Sequence, residues 1–186
     1  VVGFQKKSTA KQFWEELQQR MPKFCLELHP EKTRLLEFGR YAAERRPERG
    51  QGKPETFNFL GFTHICSETR NGQFTVLRQT IRKRMQAKLN EVKAELRRRM
   101  HDPIPEVGKW LRSVVSGQIR YYGVPRNGPA LHAFRWQVGR HWHRVLSRRS
   151  QKGGVLWARM KRLIALWLPP VRIVHPYPSQ RLIVHT

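Results

Sequence analysis

The side chains that could do chemistry in this chain are few, and their spacing argues against most of it. Metal-dependent nucleotidyl transfer needs clustered carboxylates to hold two cations. The chain has one aspartate, Asp102, in a turn between predicted helices, and its glutamates are scattered. Cys25-x3-His29 and His64-x-Cys66 could meet on neighbouring strands as a Cys2His2 set, and zinc accepts such ligands. Neither half has C-x2-C or H-x3–5-H spacing, which favours two half-buried thiols and two strand histidines. A Cys–His nucleophile pair has no better support. His141 and His143 flank Trp142 on a basic helix, where a solvated or phosphate-facing role fits better than catalysis. Positive charge beside aromatic rings is the abundant pattern. FRWQVGRHWHRVLSRRS and the patch Arg120-Tyr121-Tyr122-Gly123 both carry it. Arginine interleaved with aromatics suits RNA backbones and unstacked bases.

The charge is unevenly distributed. The 186 residues hold 37 Lys/Arg and 13 Asp/Glu, a net +24. Residues 1–73 contribute +4 and residues 74–186 contribute +20. No acidic side chain follows Glu106, whereas Lys and Arg occur 15 times beyond it. Such a surface calls for a polyanion, with nucleic acid first among candidates. A membrane partner fits poorly: no apolar run approaches the roughly 20 residues of a spanning helix, and VLWARMKRLIALWLPP is broken by Arg159, Lys161 and Arg162. Two cysteines make no disulfide framework, which together with the lack of a secretory signal fits a reducing cytoplasm. The start at Val1, within an apolar run, suggests a fragment.

These groups must be positioned by two kinds of element. Val1–Phe4 reads as the end of a strand. Thr9 and Gln12 form a T-x-x-Q capping pattern before a helix whose apolar side is Phe13, Trp14, Leu17 and Met21. FCLELHPEKTRLLEFG, residues 24–39, reads as a hairpin turning at Pro30–Thr33. Residues 40–55 are charged and rich in Gly and Pro, which predicts a mobile loop. FNFLGFTHICS predicts an apolar strand containing a glycine. Asn71-Gly72 predicts a type I′ turn leading to a return strand at Phe74–Leu77. Beyond it, Ile81, Met85, Leu89, Val92, Leu96 and Met100 recur at helical spacing, opening an amphipathic helix. Second and third helices carry Trp110–Ile119 and Leu131–Val145, a fourth carries Leu156–Trp167, and the tail from Pro169 is extended. The chain therefore reads as α+β, divided into residues 1–77, a helical bundle at 78–150, and a helix with a Pro-rich tail at 151–186.

LELHPEKTRLLEFGR, a charged loop and FNFLGFTH, in that order, resemble the late palm blocks of group II intron-encoded reverse transcriptases. IRKRMQAKL, WLRSVVSGQIRYYGVP and FRWQVGRHWHRVL resemble that family's thumb, or maturase-specific domain. The resemblance spans essentially the whole chain. It implies a partial polymerase palm (strand-helix-strand-strand plus β-hairpin) followed by an α-helical thumb bundle. In that family VVGF follows a Tyr-x-Asp-Asp turn bearing the catalytic aspartates. The fingers, most of the palm and the carboxylates for Mg2+ thus lie outside this sequence, and the chain alone is expected to bind without polymerising. No HNH-type endonuclease pattern is present.

Residue by residue, the resemblance implies three roles. Lys32 matches the late palm lysine proposed as a general acid for departing pyrophosphate; tethering a phosphate or solvating the turn is the equal alternative. Phe59, Leu60, Gly61 and Phe62 match the primer-grip hairpin, and packing of thumb on palm is a compatible role. Arg82, Lys83, Lys88, Arg97, Arg120, Tyr121, Arg135, Arg140, Arg144, Arg148 and Arg149 would bind RNA, as intron RNA or template–primer duplex, with a DNA target as a further open partner. The competing expectation is a free-standing maturase-like RNA-binding protein or RNA chaperone with no polymerase activity. A third is a small zinc-stabilised basic protein.

Overall fold

The computed structural model describes residues 1–30, 32–149 and 154–177. It is an α+β structure. In chain order it runs α1 (Lys7–Arg20), a 3-10 turn (Met21–Phe24), α2 (Arg40–Glu48), β1 (Phe57–Phe59), β2 (Phe62–Glu68), β3 (Phe74–Thr80), α3 (Arg82–Arg98), α4 (Ile104–Tyr122), α5 (Gly128–Ser147) and α6 (Trp157–Trp167). The three strands form one antiparallel sheet in the order β1-β2-β3.

The core lies in the helices. Leu89, Val92 and Leu96 of α3, Val107, Leu111 and Val115 of α4, and Leu131, Phe134, Val138 and Trp142 of α5 are all buried together. These are the 3- and 4-spaced positions that set the apolar stripes, so helix formation and core burial satisfy the same residues. Met160 and Leu168 join this core, which makes α6 a full member of the bundle. Two glycines let α6 approach closely. A Cβ on Gly108 would sit 2.3 Å from the Trp167 ring, and one on Gly139 would sit 2.7 Å from Ile164.

The N-terminal region departs from expectation. Val1–Phe4 forms no strand, and residues 24–39 form no hydrogen-bonded hairpin. The turn itself exists: the amides of Lys32 and Thr33 both donate to the His29 carbonyl, at 3.1 and 2.9 Å. The flanking segments stay extended without a ladder. Cys25, at φ 55°, redirects the chain, and Leu26 and Leu35 are left exposed. An isolated two-stranded hairpin with no covering layer is marginal in water. Helix α1 begins at Lys7 without a side-chain cap, so the T-x-x-Q pattern does not cap it.

The expected loop at 40–55 instead opens with α2. Ala, Glu and Arg in RYAAERR are good helix formers, Ala42 is buried, and Glu37 lies 3.9 Å from Arg46 and 3.7 Å from Arg49. The run FNFLGFTHICS is two strands. Phe59 pairs with Phe62 around Leu60 (φ 47°) and Gly61 (φ 82°), the two positive angles of a type I′ turn. The Asn71 turn is of another kind. Only Gly72 has positive φ, Gly72 N–H donates to the Thr69 carbonyl, and Thr69 N–H donates to that of Gln73. That pattern is a type I turn closed by a left-handed glycine.

Candidate nucleic-acid interface

A cluster of cations lies on the seam where α3 packs against α5. His141 is half-buried there, and its pKa is pushed below the ordinary histidine value. Burial is the first cause; the positive charges of Arg144, Lys93, Arg140 and Arg97 follow. Four cations from two helices therefore converge on one imidazole. Arg97, Arg140 and Arg144 are exposed and have no carboxylate in ion-pair range among the described residues. Mutual repulsion among unpaired guanidinium groups destabilises the folded state. A phosphate bound over the seam would reverse that effect with charge-assisted hydrogen bonds.

A second cationic group opens α3. Its first turn is Arg82-Lys83-Arg84, all exposed and with no acidic residue among them. Cations at a helix N-terminus oppose the helix dipole, so this placement does not serve helix stability. The same point is fixed to the β1–β2 turn, because Ile81 N–H donates to the Gly61 carbonyl at 3.1 Å. The four hairpin residues singled out in the sequence thus divide. Leu60 and Phe59 project into solvent at the tip. Phe62 is buried, edge-on to Tyr122 at 5.1 Å and stacked on Tyr121 at 6.0 Å. Gly61 lies against Tyr122, where a Cβ would meet the phenol oxygen at 2.8 Å.

The turn is locked to the bundle from three directions. Tyr121 Oη donates to the Leu60 carbonyl at 2.8 Å. Buried Asn127 accepts from Thr80 N–H at 3.1 Å and donates to Thr80 Oγ1 and the Tyr122 carbonyl, each at 2.8 Å. Arg126 reaches Ser67 Oγ and the Glu68 carbonyl at the far end of β2. Tyr122 has its pKa raised, chiefly by burial.

Several predicted contacts are engaged elsewhere. Arg135 donates to the carbonyls of Pro169 (2.9 Å), Leu168 (3.1 Å) and Ile164 (3.4 Å), capping the C-terminus of α6. Arg149 donates to the Asp102 carbonyl at 2.8 Å, tying the end of α5 to the α3–α4 turn. Both guanidinium groups are engaged with backbone carbonyls at or beside helix ends, which lack partners within the helix. Lys88 pairs with Glu91 at 2.7 Å. Arg148 and Arg120 remain exposed, as does Lys32 on its separate N-terminal turn. Glu95, which two arginines on the next turn of α3 engage, is held down at about 2.

No three-residue His/Cys/Asp/Glu cluster suited to a metal occurs among the described residues. Cys25 is exposed near the 3-10 turn. Cys66 accepts from Gly39 N–H at 3.4 Å, and burial raises its pKa. His64 stacks on Phe57 at 4.8 Å, and its pKa is lowered by burial and then by Arg78. The donor set present therefore does not fit the Mg2+ site of a polymerase, and Asp102 stands alone in its turn. Lys93 and His141 complete the seam, and the i, i+4 spacing of Lys93 to Arg97 places both on one face of α3. No described helix is long and apolar enough to cross a membrane. Comparison with protein families, with curated proteins and with solved structures finds no match to this chain.

Proposed function

We propose that this chain is the RNA-binding, carboxy-terminal part of a group II intron reverse transcriptase/maturase. On this reading it holds intron RNA or template–primer duplex for RNA-directed DNA synthesis and splicing, and supplies none of the catalytic carboxylates. One observation carries the binding: cations from α3 and α5 without an ion-pair partner among the described residues gather around His141, and α5 itself carries no acidic residue. The order of the palm-like and thumb-like sequence blocks carries the family assignment. On this reading the β1–β2 turn beside Arg82–Arg84 would meet the primer end through the exposed Phe59 and Leu60, since Gly61 lies against Tyr122.

The test is binding of the purified chain to a structured RNA across a salt series. Log affinity should fall linearly with log salt, by about 0.9 per neutralised phosphate on a duplex. The combined variant Arg97→Ala/Arg140→Ala/Arg144→Ala should lower affinity by roughly 10-fold or more and flatten the slope. A salt-independent constant, or an unchanged slope in the triple variant, would remove the seam as the binding surface. Template-dependent extension of a primer by the chain alone would contradict the absence of catalytic carboxylates.

A further inference from the structure

A column of three rings stands on the surface where α6 meets α5. Trp136 and Trp157 stack with centroids 5.6 Å apart and planes 13° from parallel. On the other side of Trp157, His143 stacks at 4.2 Å and 15°. Trp136 and His143 are seven residues apart on α5, two turns or about 10.5 Å of rise, which leaves room for one flat ring between them. The His143 ring is fixed, since Nε2 donates to the Val155 carbonyl at 2.7 Å.

Anchoring α6 explains part of this column but not its end. Stacking on His143 already holds Trp157. Trp136 remains 54% exposed although its ring stacks on Trp157, and no other ring stacks on it among the described residues. Arg140 follows Trp136 by one helical turn and Lys161 follows Trp157 by one; both are exposed. No carboxylate occurs anywhere in the sequence after Glu106.

We infer that the open face of Trp136 is a stacking site for an unpaired base of single-stranded RNA, with Arg140 and Lys161 positioned for the flanking phosphates. This rests on the nucleic-acid reading above and adds to it a preference for unpaired nucleotides. The parallel order of the rings favours a flat ligand that continues the column, and the charge favours one with a polyanionic backbone. Bases within a duplex have both faces occupied and cannot use the site. An acidic peptide would match the charge without the plane, and an aliphatic one would match neither.

The experiment compares two single strands of equal length and charge, oligo(rA) and the same ribose-phosphate chain with its bases removed. They are titrated against the full chain and against Trp136→Ala, whose mutated side chain is exposed. The wild-type protein should prefer the base-bearing strand by roughly 5- to 100-fold, the range of one base–aromatic stack. Trp136→Ala should lose most of that preference, Trp136→Phe should retain part of it, and duplex affinity should hold in both. An equal preference in wild type and Trp136→Ala overturns the proposal. So does a Trp136→Ala variant that loses duplex and single strand alike. If the wild-type chain binds no strand even at low salt, the nucleic-acid reading itself has failed, a result separable from loss of stacking alone.

Discussion

Residues 1–39 and residues 82–168 differ less in apolar content than in what they do with it. In the bundle, apolar stripes from four helices meet, and Trp142, Phe134 and Leu111 are sealed from water. Among the described residues of the N-terminal region Ala10 is the only buried apolar one, while Val2, Phe24 and Leu26 each leave more than half of their surface exposed. Helix α1 packs on its own 3-10 turn, and Phe4 on Phe13 at 5.1 Å. Secondary structure without a second layer contributes little stability, because burial of an amphipathic face supplies most of it. The bundle therefore has its own core, whereas the N-terminal region presents an uncovered face.

The most direct way to break this contrast is a pair of truncations. Trp142→Ala should destabilise the bundle by about 3–5 kcal/mol. Phe13→Ala should stay within roughly 0.5 kcal/mol, as exposed positions do. Urea unfolding followed by far-UV circular dichroism reads both, and comparable losses would show that the N-terminal region has a core of its own. Next in size is Asn127→Ala. It strands the Thr80 amide, takes a donor from Thr80 Oγ1 and leaves the Tyr122 carbonyl with the Val124 amide alone; the cost should be about 1–3 kcal/mol, read as a lowered urea midpoint. An unchanged midpoint would mean that Phe62 packing and the Tyr121 and Arg126 hydrogen bonds suffice to hold the sheet on the bundle.

Arg135→Ala sharpens the contrast between structural and binding cations. With the α6 carbonyls released, the midpoint should fall by about 1–2 kcal/mol, while the salt slope of RNA binding should match wild type. A flattened slope would return Arg135 to the interface. The smallest expected effect concerns His141. Burial and the surrounding cations hold its folded pKa low, so folding favours the neutral ring. The resulting stability is present above the unfolded value near 6.5 and lost as pH falls below it. A phosphate over the seam would raise that pKa, so binding should take up a proton and strengthen by a few-fold between about pH 7.5 and pH 5.5. His141→Gln should remove that dependence; its persistence would place the phosphate elsewhere.

The bundle was legible because its periodicity and its burial coincide. The stripe Leu89, Val92, Leu96 and the stripe Leu131, Phe134, Val138, Trp142 are read equally well from spacing and from packing. Expectations failed where strands needed a partner layer. FCLELHPEKTRLLEFG alternates as a strand should, but alternation states only what would be buried if something covered it. Composition misled at α2, where charge suggested a loop although Ala, Glu and Arg favour a helix. In the candidate interface, Arg97, Arg140 and Arg144 were visible as charges. The inward turn of Arg135 and Arg149 was not, because helix-end carbonyls become acceptors only once the helices have been placed. The stack of Trp136, Trp157 and His143 was hidden for the same reason: its rings come from segments whose meeting is a tertiary fact.

The lock between the Leu60–Gly61 turn and the bundle has a metric consequence. Ile81 and Tyr121 fix the tip to the ends of α3 and α4 by hydrogen bonds to the Gly61 and Leu60 carbonyls, and Asn127 fixes the end of β3 beside them. The span from that tip to the His141 seam is thus a property of the fold and does not adjust to what is bound. On the proposed RNA-binding reading, a strand end resting on the turn and a phosphate held at the seam would be separated by a fixed number of nucleotides, as on a gauge.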